Sequence, residues 1–365
     1  MKIAIDLTSL YGRKITGVEI YGIDLYKILK KSQHTIIPIF HCQNTVDDNK
    51  NAYIIPACNR LWLENVEISR AIRRLKPDIA LFPVFPPPLD LFYNCKTQIY
   101  QTIHDTVSFK YRETQNFAAK YYYLPKQKVA LGKLNGIITI SETVKKQLTK
   151  ITDKEIYNCG NVIAPEYKSC YELASEKLIK QWGLCPNSYF ISVSTIEPRK
   201  NFKYLMRVLK PILDERDMKL VLVGRKGWGK DEELQQLMEE IGSRLVFPGF
   251  VEFAQLVSLY HYAYAFALLS LDEGFGRTPF EAVACGCKRV ILSDIEIFHE
   301  TFGDNAFYLP LADEKSAKIL LKESDIPLVK EDMKLPFDVL EERINKVFLP
   351  AIENIKDNVL KFNIY

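Results

Sequence analysis

The chain has 365 residues, 47% of them hydrophobic and 26% charged, which is the composition of an ordinary soluble chain of about two domains and excludes disorder, collagen and coiled coil. The formal net charge of +4 hides an asymmetry: residues 1–180 hold 26 Lys and Arg against 17 Asp and Glu, residues 181–365 hold 23 against 28. An anionic partner is therefore expected to prefer the first half.

In chain order, short apolar, β-branched runs alternate with longer helical patterns, the rhythm of parallel strands joined by crossover helices. The first half offers strands at Lys2–Asp6, Thr35–Phe40, Asp78–Phe82, Gln98–Ile103 and Gly136–Ile140. The second offers Tyr189–Ser194, Lys219–Val223, Leu245–Phe247, Ala265–Ser270 and Val290–Leu292, and Phe337–Leu360 has apolar residues at helical spacing. The fold class is α/β, two doubly wound parallel-sheet domains, with expected boundaries 1–168, 169–340 and a closing helix in 341–365. Eight scattered cysteines, without C-x-x-C spacing, fit neither a disulfide framework nor a zinc site and read as reduced thiols. No apolar run of about 18 to 20 residues occurs, and Met1 leads directly into a strand. The expectation is a cytoplasmic protein without a span or leader.

Ligands of open parallel sheets sit beyond the carboxyl ends of the strands, so the turns after strands are the places to look. Three such turns of the second half carry chemistry. In Ser194-Thr-Ile-Glu-Pro-Arg-Lys-Asn201 two adjacent cations, Arg199 and Lys200, follow a strand; they suit phosphate, or a solvated helix start. In Gly224-Arg-Lys-Gly-Trp-Gly-Lys230 glycines and cations surround a tryptophan, which allows backbone approach to an anion or simply forms a basic loop. It lacks the ending of a P-loop and is no dinucleotide fingerprint. The third turn, Ser270-Leu-Asp-Glu-Gly-Phe-Gly-Arg-Thr-Pro-Phe-Glu-Ala282, ends a strand and opens a helix, with Thr278 as expected cap and Pro279 at its first position. A helix terminus there can hold a diphosphate without a metal. Glu281 fits a Thr278-x-x-Glu281 capping box as well as a ligand contact, whereas Glu273 has no helix to cap and can accept hydrogen bonds from sugar hydroxyls.

These residues resemble the retaining nucleotide-sugar glycosyltransferases of family four, which have the GT-B fold: Glu273 and Glu281, separated by seven residues and enclosing Gly-Phe-Gly, look like the E-x7-E signature. Glu197-Pro-Arg-Lys-Asn201, Val223-Gly-Arg-Lys-Gly-Trp228, Pro248-Gly-Phe-Val251, Ser293-Asp294, Asp6-Leu-Thr-Ser9, Gly17-Val-Glu-Ile-Tyr21, Thr102-Ile-His-Asp105 and Ile138-Thr-Ile-Ser-Glu142 are similar to stretches of that family in the same order. The likeness spans about residues 1–310. It implies two domains facing across a cleft, Glu273 on the donor-sugar hydroxyls and Glu281 on the ribose. Arg199 and Lys200 would bind the diphosphate, helped by backbone N–H groups of Phe275, Gly276, Arg277 and Thr278, and by Arg225. Phe250 would belong to the donor site, His104 would reach the transferred sugar, and Gly17 would let the backbone approach the diphosphate. Read from the residues alone, His104 is equally a satisfied strand-end histidine.

Two departures stand out. Ser194 occupies a position where many relatives carry arginine, which shifts a phosphate contact toward Arg225 or Lys226, and Arg277 replaces an apolar residue. The implied activity is transfer of a hexosyl group, mannosyl from GDP-mannose favoured and UDP-sugars open, to a glycan or lipid-linked glycan in cell-surface polysaccharide synthesis. The chain has no D-x-D pair, in keeping with a metal-free site and no cofactor. No nucleic acid is expected as partner. Phe109–Lys133 interleaves Lys and Arg with Tyr111, Tyr121, Tyr122 and Tyr123, a pattern that fits peripheral contact with an anionic membrane on its inner face or an ordinary packed amphipathic helix. A nucleotide-sugar epimerase, a phosphorylase and a non-catalytic nucleotide-sugar binding subunit share the fold and stay open; a nicotinamide dehydrogenase would need G-x-G-x-x-G in the first turn, where Leu7–Gly12 has none.

Overall fold

Buried β-branched runs flanked by helices leave the chain one economical arrangement, a parallel sheet covered on both faces. The computed structural model describes residues 1–12, 15–43, 46, 50–111, 117–225 and 232–354. They fall into two compact units, one of Met1–Val162 with the chain from Asp338 onward, the other of Ile163–Phe337. In the first unit β1 (Lys2–Asp6), β2 (Thr35–His41), β3 (Tyr53–Ile55), β4 (Ile79–Phe82), β5 (Gln98–Ile103), β6 (Gly136–Thr139) and β7 (Ile156–Asn158) form one sheet. Its order is β3-β2-β1-β4-β5-β6-β7, parallel throughout, with Ile3 between Ile36 and Ile79. In the second, β8 (Tyr189–Val193), β9 (Lys219–Val223), β10 (Leu245–Gly249), β11 (Ala265–Leu268), β12 (Val290–Ser293) and β13 (Phe307–Leu309) are ordered β10-β9-β8-β11-β12-β13, also parallel. The strand order reverses between β1 and β4 in one sheet and between β8 and β11 in the other, so each sheet has a switch point at which a ligand can enter between diverging turns.

All ten expected strands occur, with ends within two residues. The three unexpected ones, β3, β7 and β13, are three-residue strands at sheet edges. Strands that short carry too few residues for a periodicity of their own.

The domain boundary lies at Val162/Ile163, not at 168/169. The stretch on either side of the expected boundary is anchored in the second unit by buried Tyr167, Cys170 and Ile179. The Tyr167 ring lies edge-on to Phe253 at 5.3 Å, and the Ser175 N–H donates to Ser258 Oγ at 3.1 Å. The closing segment is likewise no separate piece. Residues 339–354 form a helix with a π turn at Ile344–Phe348, and Leu340, Ile344, Phe348 and Ile352 are buried in the first unit. Phe348 meets Tyr100 and Tyr157 edge-on at 5.4 and 5.7 Å, and Lys31 Nζ lies 2.8 Å from Glu341 Oε1. Residues 355–365, the rest of the expected closing helix, lie outside the described residues.

Candidate functional site

Adjacency of β8 and β11 brings together two turns that are about seventy residues apart in sequence. The Leu271 N–H donates to the Arg199 carbonyl at 2.8 Å, which stitches the turn after β11 to the turn after β8. At that seam the Glu273 carboxylate, 6% exposed, accepts from Lys200 Nζ at 2.5 Å, Arg199 Nη1 at 2.9 Å and Ser270 Oγ at 2.7 Å. Glu197 accepts from Arg199 Nε at 2.7 Å and fixes the guanidinium in its fork. Burial alone would push the Glu273 carboxyl up, yet the Lys200 and Arg199 charges and the hydrogen bonds from Lys200 and Ser270 hold it down at about 2. Burial and the neighbouring Arg199 draw the Lys200 ammonium down, against the pull of Glu273. The cluster of Glu197, Arg199, Lys200 and Glu273 is thus locally neutral. The expected phosphate ligands and the expected sugar-binding carboxylate are one ion-paired group.

Beside it the helix Arg277–Ala284 begins two residues earlier than expected. Gly276, left-handed at φ +81°, is its N-cap, so Thr278 lies inside the first turn and the Thr278/Glu281 capping box does not form. A Cβ at Gly276 would stand 2.6 Å from Phe298 Cε1, so glycine is required here both by the positive φ and by the packing. The Phe275 side chain is buried and stacks on Phe280 at 5.4 Å, which leaves its backbone as the ligand-facing candidate. Arg277 Nε lies 3.8 Å from Glu281 Oε1. Burial raises the Glu281 carboxyl, opposed by Arg277 and by a hydrogen bond with the Tyr167 side chain.

Across β8, Gly224 lets the turn after β9 touch the turn after β8. A Cβ there would come within 2.0 Å of the Ser194 carbonyl oxygen, and the Ile196 N–H donates to the Arg225 carbonyl at 3.0 Å. Arg225 is exposed; Lys226 and the rest of that basic turn through Lys230 lie outside the described residues. The buried Ser194 Oγ has no partner among the described residues. Phe250, directly after β10, is 83% exposed, an apolar ring with no packing role in its own unit.

In the first unit His104 follows β5 and donates from Nε2 to the Pro83 carbonyl at 2.8 Å, its ring edge-on to Tyr21 at 4.9 Å. Gly17 opens the helix Gly17–Lys30, whose Thr16/Glu19 capping box includes a Thr16 N–H to Glu19 Oε2 bond of 2.9 Å. The tyrosine-rich segment is divided rather than uniformly outward. Tyr121 is exposed, whereas the Tyr122 and Tyr123 hydroxyls donate to the buried Glu64, and Lys126 is buried with Nζ on the Glu64 carbonyl. No helix among the described residues is long and apolar enough to cross a membrane, and among them no group of three or more His, Cys, Asp or Glu could hold a metal ion.

Sequence reasoning passed over Glu197 and Ser270, though both lie within the motifs it singled out, because neither position signals what its side chain will hold. Tyr167, which reaches Glu281, carried no signal at all.

Residues 175–325 match the family described as glycosyl transferases group 1. The chain is 29% identical over 221 residues to the O-antigen chain mannosyltransferase RfbU of Salmonella typhimurium, an overlap covering 60% of this chain and 59% of RfbU. Among solved structures, sucrose-phosphate synthase from Thermosynechococcus elongatus superposes with a TM-score of 0.65 at 16% identity, over 99% of this chain and 98% of that one. Anabaena HepE in complex with UDP and glucose gives 0.63 at 16% identity, over 99% of each chain. The likeness is one of fold, the GT-B fold.

Proposed function

We propose that this chain, which carries a glycosyl transferases group 1 domain at residues 175–325 on a GT-B fold, is a retaining hexosyltransferase of polysaccharide synthesis. It moves a mannosyl group from GDP-mannose to a glycan or lipid-linked glycan. The observation that carries this reading is the seam between β8 and β11, where Arg199 and Lys200 converge on the buried Glu273 beside a helix N-terminus. In the transfer, the bond from the anomeric carbon to the diphosphate oxygen breaks with its electron pair leaving on the diphosphate. The acceptor hydroxyl oxygen bonds the same carbon on the same face, and its proton passes to the departing phosphate. Arg199, Lys200 and the backbone N–H groups at the helix start, Gly276–Thr278, stabilise the developing charge, and Glu273 orients the sugar hydroxyls. Glu281 contacts the ribose and Phe250 offers a face to the base. The mannosyl assignment is supported by the likeness to RfbU, an O-antigen chain mannosyltransferase.

The reaction needs no metal because two cations and a helix terminus take the place of one. A thermal-shift series with GDP, UDP, GDP-mannose and UDP-glucose, followed by turnover with and without EDTA, tests this. The expected result is the largest stabilisation by the guanine nucleotides and undiminished turnover in chelator. Turnover abolished by EDTA and restored by magnesium overturns the metal-free site, and stabilisation by uridine nucleotides alone overturns the donor.

A further inference from the structure

The first sheet has a switch point of its own, between β1 and β4, and the turns diverging there enclose two cavities. One, of about 220 Å³, is lined by Thr8, Ser9 and Tyr11 after β1, by His41, and by Glu64 and Arg60. The other, of about 520 Å³, is lined by Val84, Phe85 and Pro86 after β4 and by Tyr123 and Gln127. Arg60 and Phe85 line both, so the two are lobes of one groove. Together they fall within the range of roughly 300–1,000 Å³ usual for small-molecule sites.

Arg60 is held from behind. Its Nε lies 2.6 Å from Glu64 Oε1 and 3.0 Å from the Tyr123 hydroxyl, and its guanidinium carbon stands 4.6 Å over the Phe85 ring. These contacts use one of its three nitrogens, and the two terminal amino groups make no hydrogen bond among the described residues. The acids of the neighbourhood are already satisfied from inside: Glu64 also accepts from Tyr123 at 2.8 Å and Tyr122 at 3.3 Å, and Asp6 accepts from the Thr8 N–H at 3.0 Å and its hydroxyl at 2.7 Å. Lys126 Nζ, on the Glu64 carbonyl at 3.1 Å, adds a buried cation behind the wall. The His41 ring, drawn down by burial, brings no charge at neutral pH. In the smaller lobe Ser9, 7% exposed, has a buried Oγ without a partner among the described residues, a cost that a ligand hydroxyl would remove.

We propose that this groove binds a pyranose bearing a carboxylate or phosphate group, its anionic oxygens taken by the terminal amino groups of Arg60, its apolar face by Phe85 and Tyr123, and a hydroxyl by Ser9. A planar fork with two open donors matches a two-oxygen anion, and a pinned guanidinium loses little freedom on binding it. Aromatic walls suit the C–H face of a sugar ring better than a flexible chain. The inference rests on the transferase reading only in making the bound sugar the acceptor; the binding itself stands apart from it.

The test titrates the full chain with methyl α-glucuronoside, mannose 6-phosphate and neutral methyl α-mannoside, by calorimetry and ligand-observed NMR, with GDP and UDP titrated in parallel. At least one charged sugar is expected to bind roughly tenfold tighter than the neutral glycoside. Arg60→Gln should abolish that preference. Ser9→Ala and Phe85→Ala, which leave the Arg60 pair with Glu64 intact, should weaken all bound sugars while nucleotide affinity is unchanged. Equal binding of charged and neutral sugars, no sugar binding at millimolar concentration, or a preference that survives Arg60→Gln overturns the proposal. Sugar binding in a chain that takes no nucleotide would instead overturn the transferase reading and leave this groove standing.

Discussion

Glu273 is a carboxylate whose charge is maintained by the same two cations that a diphosphate would need. In the proposed transfer, Arg199 and Lys200 would serve two anions once the donor enters, and the gain would come where negative charge builds on the leaving group during bond breaking. Glu273→Gln keeps shape but removes one of the competing anions. The expected outcome is a large fall in kcat with the dissociation constant for the nucleoside diphosphate no weaker than in the wild type, read by steady-state rates and calorimetry. Loss of nucleotide affinity with kcat preserved at saturation would refute the role. Lys200→Ala, by contrast, should cost roughly a hundredfold or more in kcat, the scale of a lost charge-assisted partner to a developing anion. The same pair sets an acid limit. Because the folded carboxyl is lowered from an ordinary 4.5 to about 2, its stabilisation is complete above about 4.5 and is lost as the pH falls through about 2. The thermal midpoint of the wild type should fall across that window more steeply than that of Glu273→Gln. The sequence made Glu273 visible as a carboxylate with no local duty. It did not reveal the clasp, because residues 199 and 273 meet only once β8 and β11 are neighbours.

At the scale of elements, the legible part was whatever is buried on both faces. Central strands such as Ile79–Phe82 and Ala265–Leu268 are apolar at every position and read directly from the chain. The edges β3, β7 and β13 were invisible for the complementary reason, each having three residues and a partly exposed pattern in which Ile54 is 47% exposed. The helix start at Arg277 was misplaced by two residues because Thr and Pro advertise a cap strongly, whereas the left-handed Gly276 decides where the turn ends. Gly224 gives the sharpest element-level expectation. The turn after β9 approaches the turn after β8 backbone to backbone, and a methyl group at Gly224 would meet the Ser194 carbonyl at 2.0 Å, with no side chain able to move aside. Gly224→Ala should therefore lower the thermal midpoint of the second unit by several degrees, a cost of about 1–3 kcal/mol, and weaken nucleotide binding with it. Unchanged melting would mean that the two turns are not held together as described.

Charge is distributed over the whole molecule against the demands of its proposed donor. The second unit holds 22 Lys and Arg against 26 Asp and Glu, yet its site is to receive a diphosphate; the first holds 27 against 19. Donor capture must therefore depend on the short-range cluster at Arg199 and Lys200, since beyond about 8 Å at physiological salt the net charge of the unit is screened. The positive excess of the first unit has no such cluster to explain it and suits an extended anionic surface. The segment expected to meet one supplies fewer groups than its sequence suggested, because Tyr122, Tyr123 and Lys126 turn inward to Glu64 and the Arg60 groove. Among the described residues it leaves outside Phe117, 80% exposed and packed at 4.8 Å on Tyr121, with Lys120 Nζ 5.8 Å from the Tyr121 ring, and the exposed Lys110, Lys128 and Lys133. An aromatic pair beside a lysine can seat in an interface of anionic lipid, each basic residue adding up to about 1 kcal/mol. Sedimentation with phosphatidylserine-containing and neutral phosphatidylcholine vesicles measures this. The expected outcome is recovery with the anionic vesicles alone at low salt, reduced by salt and by Phe117→Ser combined with Tyr121→Ser, neither of which alters the Arg60 groove. Equal recovery with both vesicle types at low salt, or recovery that the double substitution leaves unchanged, would remove the membrane contact and leave the positive excess of the first unit to steering of the anionic acceptor alone.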